Sequence, residues 1–171
     1  METLTAIFGS EVKIKILRLF LFNERTAYFL PEIIAHTKCG RSLVKREVNM
    51  MAKADLLKKK TVSKEIAVVR GKNSMLKKIK GIGYILNEKF SYREPLKNLL
   101  TIASIQADES LARRFSAVGR VKLIVAAGVF IQNWDSRVDL LIVGDELNMT
   151  KIESIISVIE SEIGKEISYS A

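Results

Sequence analysis

Five side chains within nine residues, Arg41, Ser42, Lys45, Arg46 and Asn49, have the types and spacing of a nucleic-acid reader. Arginine can grip guanine, and asparagine adenine, through paired hydrogen bonds, while lysine meets phosphate as a point charge. A second set follows at Lys58, Lys59, Lys60, Lys64, Arg70, Lys72, Lys77, Lys78 and Lys80. Its stretch from 70 to 81 contains no acid, which suits a phosphate backbone. His36 and Cys39 stand at H-x2-C spacing but are the chain's sole histidine and cysteine. A tetrahedral metal site would need acids or a second subunit to complete it, so both are expected to pack beside a turn. No metal and no cofactor is expected.

The charge balance divides the chain. Residues 1–94 hold 20 Lys/Arg against 9 Asp/Glu, whereas residues 95–171 hold 8 against 10. A positive excess confined to one half points to a polyanion-binding module joined to an ordinary one. With 48% apolar residues in 171, the chain can bury a proper core. Its longest uncharged apolar run, Leu123 to Ile131, is half of what spans a bilayer, and Glu2 sits where a signal peptide is basic. The expectation is a soluble, cytoplasmic protein with no membrane partner.

Elements must position these residues. Ser10 is expected to cap a helix from Glu11, with Val12, Ile16, Leu17, Phe20 and Leu21 at helical spacing. Pro31 suits the first turn of a second, brief helix that ends at Lys38-Cys39-Gly40. Ser42 would cap a third, reaching about Ala54, with Val44, Val48 and Met51 inward and the five candidate readers outward. Strands are expected over Leu56 to Val69 and Gly83 to Leu86, with 70–81 as a long basic tip. Pro95 opens a fourth helix to about Ser104, and 105–120 should be helical. Beyond it come strands at Lys122 to Phe130 and Asp139 to Val143, a helix capped at Thr150 and stopped at Gly164, and a strand at Glu166 to Ser170.

Helix, helix, turn, helix and basic hairpin is the order of a winged helix-turn-helix. The segments Phe8–Phe20 (FGSEVKIKILRLF), Leu30–Ile33 (LPEI) and Leu43–Leu57 (LVKREVNMMAKADLL) resemble ArsR-type winged-helix transcriptional regulators over residues 7–103. The hairpin tip at 70–81 is longer than is usual in that family. The resemblance implies double-stranded DNA as partner and a homodimer, for which Leu96, Leu99, Leu100 and Ala103 offer an apolar stripe.

The second half carries another likeness. Val125–Val129 (VAAGV) followed by Ser136–Val143 (SRVDLLIV) resembles the core of the DNA polymerase β-like nucleotidyltransferases, minimal members especially. Those enzymes carry two carboxylates one residue apart on a strand, where both hold divalent metal against a triphosphate. Alignment puts Arg137 on the first and Asp139 on the second; sliding by two puts Asp139 first and Leu141 second. Val129 replaces the expected serine or glycine, and the last strand offers only Ser168 and Ser170 for the third acid. The resemblance therefore implies the fold without the catalysis, and Asp139 is expected to be a structural acid paired with Arg137 or Arg120.

The whole reads as an α+β protein: a winged helix-turn-helix with linker helix over 1–104, then a small α/β nucleotidyltransferase-like domain over 105–171. The expected function is sequence-specific DNA-binding transcriptional regulation. The second domain would sense a small-molecule or nucleotide effector, or assemble subunits, and no enzyme activity is expected. Two alternatives stand beside it: a minimal nucleotidyltransferase recruited to nucleic acid by its winged helix, and an antitoxin-like interaction module.

Overall fold

The computed structural model of the chain describes residues 2–70, 73–102, 108–131, 133 and 136–171. It is a mixed α+β structure with two separate apolar cores. Helices α1 (Glu2–Phe8), α2 (Glu11–Phe22), α3 (Leu30–Thr37) and α4 (Arg41–Lys53) come first. An antiparallel pair follows, β1 (Leu57–Arg70) and β2 (Asn73–Leu86), and then helix α5 (Arg93–Ile102). The second part runs α6 (Asp108–Phe115), β3 (Arg120–Ala126), a 3-10 turn at Gly128–Ile131, β4 (Leu140–Asp145), α7 (Met149–Ile163) and β5 (Tyr169–Ser170).

Helix α2 is the axis of the first core. The Ser10 hydroxyl accepts from the Lys13 N–H at 3.2 Å, and Glu11 meets the positive end of the helix, as expected. From Ile14 to Leu21 every residue is buried, because α1, α3, α4, α5 and α7 surround it. A helix apolar on one side only could not tolerate that environment. The short α1, which the sequence pattern does not announce, places Leu4 in this core.

Pro31 does stand in the first turn of α3, and the Glu32 carboxylate accepts from the Phe29 N–H at 2.6 Å. Lys38 adopts a left-handed backbone, φ 53°, and turns the chain into α4. There the expected cap is displaced. Gly40, not Ser42, is the N-cap, and Ser42 lies exposed in the first turn.

The hairpin departs most from expectation. Strand β2 begins at Asn73 rather than Gly83, so all but the extreme end of the supposed tip is paired, from Leu57 with Leu86 to Arg70 with Asn73. Fourteen residues at about 3.3 Å each make a ribbon about 45 Å long. Alternation could not reveal it, because residues 73–82 read NSMLKKIKGI with no period of two; main-chain hydrogen bonds hold a ribbon whatever the side chains. Tyr28 adds a single-residue antiparallel bridge at its base, exchanging bonds of 2.9 and 2.8 Å with Tyr84. Gly83 permits that approach, since a Cβ there would stand 3.0 Å from the Tyr28 carbonyl and from Val62.

Helix α5 starts two residues before Pro95, and its apolar stripe is largely spent at home. Leu100 is fully buried in the first core and Leu96 packs against it, leaving Leu99 exposed. Ala103 lies outside the described residues.

In the second core, β3 and β4 are antiparallel, while β4 and β5 are parallel and joined through α7. Strand β3 ends at Ala126, short of the expected Phe130. The Ala127 N–H turns to the Asp139 carbonyl at 2.8 Å, and Gly128 takes φ 50° into the 3-10 turn. Asn148, not Thr150, caps α7 by accepting from the Lys151 N–H at 3.0 Å. Gly164 closes that helix in the left-handed region as expected. Ile152, Ile156, Ile159 and Ile163 face Leu111, Phe115, Leu140 and Ile142.

The two cores meet along α7, which lies on α2 and α3. Buried Arg18 donates to the Glu162 carbonyl at 2.7 Å and to the Leu100 carbonyl at 3.4 Å. Asn23 donates to the Gly164 carbonyl at 2.7 Å. Among the described residues no helix is long and apolar enough to cross a membrane.

Candidate nucleic-acid interface

The surface of α4 follows from its buried stripe. Val44, Val48 and Met51 anchor it in the first core, and Glu47 is buried beside them. At about 100° per residue, Ser42, Arg46, Asn49 and Lys53 then line the opposite side, with Lys45 on its shoulder and Arg41 nearer the packed side. All six are exposed. Lys53 extends the stripe by one turn, a signal readable at i+4 from Asn49 that the type-by-type reading missed.

Glu47 was legible in no sequence signal. Its Oε1 accepts from Arg46 at 3.3 Å, while Lys13 Nζ stands 3.9 Å from Oε2, beyond hydrogen-bonding distance. That oxygen is buried with no hydrogen-bond partner. An acid at the foot of the exposed stripe thus tethers the Arg46 guanidinium at the helix surface.

The ribbon sorts its lysines by register rather than pooling them. Strict pairing puts Lys58 and Lys60 on one face, with Arg70 and Lys77 by backbone position. Lys59, Lys78 and Lys80 belong to the opposite face. Lys58, Lys60, Lys78 and Lys80 are exposed. The Arg70 and Lys77 side chains and the whole of Lys72 lie outside what is described. Lys64 is already engaged: it bonds Glu32 at 2.9 Å and lies 5.3 Å over the Tyr28 ring.

Tyr28 holds the joint between α3 and the ribbon. Burial pushes its phenol pKa above the ordinary value, and Glu166 and Glu32 push the same way against a hydrogen bond from Thr26. Its ring meets His36 edge-on at 5.3 Å, and Cys39 donates to the Thr37 carbonyl at 3.2 Å. A cleft of about 340 Å³ opens here between α2, α3 and the end of α7, lined by Asn23, Thr26, Tyr28, His36, Lys165 and Glu166.

In the second core, Asp139 is occupied. Its Oδ1 accepts from the Val129 N–H at 2.8 Å and its Oδ2 from the Ser168 N–H at 2.9 Å. The partners are main-chain donors, not Arg137 or Arg120. A Cβ at Gly128 would fall 1.9 Å from Oδ1, so only glycine admits this carboxylate. Asp145 pairs with Lys122 at 2.8 Å. Among the described residues no three His, Cys, Asp or Glu side chains gather to hold a metal ion.

No family model, curated protein or solved structure matches the chain.

Proposed function

We propose that the chain is a sequence-specific, double-stranded-DNA-binding transcriptional regulator. In this reading α2, α3, α4 and the β1–β2 ribbon form a winged helix-turn-helix, and the second core is a nucleotidyltransferase-like unit that does not catalyse. The observation that carries it is α4 itself: a helix anchored by Val44, Val48 and Met51 that turns Ser42, Lys45, Arg46, Asn49 and Lys53 outward. A three-residue turn ending in Gly40 separates it from α3, as helix-turn-helix readers require. The lysine-bearing ribbon has the form of a wing, and a two-stranded ribbon can enter a major groove.

The rival reading, a working nucleotidyltransferase, is not favoured. Asp139, the one acid on the motif stretch, spends both oxygens on main-chain N–H groups. Capture of fragmented genomic DNA by the purified full chain tests the proposal. Recovery of fragments sharing a short motif is the expected result, and recovery proportional to fragment length alone would refute it. Transfer of labelled nucleotide to an acceptor with magnesium, lost in Asp139→Ala, would establish the rival.

A further inference from the structure

Among the described residues, one face of the second sheet carries half-exposed aliphatic side chains. Helices α6 and α7 cover the face that carries Leu140 and Ile142. On the other face Leu123 lies opposite Val143, and Val125 opposite Leu141, all in register. These four are 51%, 43%, 42% and 36% exposed. The sheet is mainly the antiparallel β3–β4 pair, and such a pair can leave one face in water, but a solvated face is ordinarily polar; four aliphatic side chains in register there call for a covering layer.

We infer that the missing layer is the same sheet of a second copy, packed face to face about a two-fold axis. The register itself argues for that occupant. Leucines occupy one diagonal of the four-residue lozenge and valines the other. A two-fold running along the strands sets Leu123 over the copy's Val143 and Val125 over its Leu141. An axis across the strands likewise puts every leucine over a valine. Large side chains then meet small ones throughout, the arrangement that interdigitating layers need.

Charge favours the same choice. Residues 1–94 carry a balance of +11, so two copies repel there, whereas residues 95–171 are near neutral at −2. The charges flanking the lozenge, Lys122 and Asp145, already neutralise each other. Four half-exposed aliphatic side chains amount to a patch of roughly a few hundred Å². At the usual apolar share of an interface, about 57%, that corresponds to roughly 1,000 Å² buried in total, the lower bound for a specific dimer. The association is therefore a weak one. It rests on the DNA-binding reading only for its use, which is to bring two α4 helices to one duplex.

Sedimentation of the full chain from about 1 to 200 µM, without DNA, tests it. Wild type should pass from monomer to dimer across that range. Leu141→Lys should raise the dissociation constant at least about tenfold, and Leu99→Lys, on α5, should leave it unchanged. Val143→Thr, which keeps the β-branched shape, should weaken the dimer measurably even where the lysine variant fails to melt cooperatively. A wild type that stays monomeric, a dimer that survives both sheet variants, or one lost in Leu99→Lys overturns the inference. Binding to random-sequence DNA is read separately: a monomer that binds DNA sinks the dimer alone, and a dimer that ignores DNA sinks the regulator reading alone.

Discussion

Arg46 and Asp139 show what one side chain is asked to do. Arg46 stands in the middle of the exposed stripe of α4, held at its root by Glu47. Arg46→Ala should weaken binding to a selected site by about 1–3 kcal/mol and relax its base preference. A competition titration against random DNA checks this: equal losses on both would assign Arg46 to phosphate. Asp139 is a strut, joining the 3-10 turn to Ser168, the residue just before β5, through two N–H groups. Asn can accept only one of them and turns its amide donors against the other. Asp139→Asn should therefore cost about 1–3 kcal/mol in urea unfolding while leaving DNA affinity unchanged.

At the scale of the element, the ribbon is a double-faced one, and its faces can be tested apart. If the face bearing Lys78 and Lys80 meets the phosphate backbone, their joint replacement by Ala should flatten the slope of log affinity against log salt by up to about 2. An unchanged slope would assign both lysines to solvent. The ribbon is hinged on α3 through Tyr28. Because folding raises that phenol's pKa, the neutral form is the one the fold prefers. The stability it contributes is complete below about pH 10, the unfolded value, and is lost as pH rises through the folded one. Wild type should therefore lose more melting temperature between about pH 9 and 11 than Tyr28→Phe, which has nothing there to titrate.

The molecule as a whole depends on how α7 seats against α2. Arg18, 3% exposed, bonds carbonyls of α7 and α5 at once and so joins the two cores from inside the first. Burial lowers its pKa, with Glu162 opposing. Arg18→Met keeps the length of the stem and removes the donors. The Glu162 and Leu100 carbonyls then lose a charged partner, at a cost of about 2–3 kcal/mol. Urea unfolding followed separately at the two cores should change from one coincident transition to two. Coincident curves in the variant would mean that apolar packing along α7 suffices.

Local rules determined much of this chain. Ser10 before an apolar run, Pro31 in a first turn, Gly164 after a row of isoleucines and the Val44, Val48, Met51 spacing each depend on neighbours within a few residues, so α2, α3, α4, α7 and the outward face of α4 were legible, while α1 was not. The basic residues declared a positively charged surface by type alone. Tertiary structure decided what depends on distant partners. The pairing of Asn73 to Ile82 with β1 is a main-chain matter that side-chain pattern does not encode. Leu100 turned inward because α2 was there to receive it, Arg18 became a buried charge because α5 and α7 closed over it, and Glu47 became one because α4 packs against α2. Asp139 found two amides rather than an arginine, since a carboxylate leaving water takes whatever donors the fold brings within 3 Å, and those lay 10 and 29 residues away.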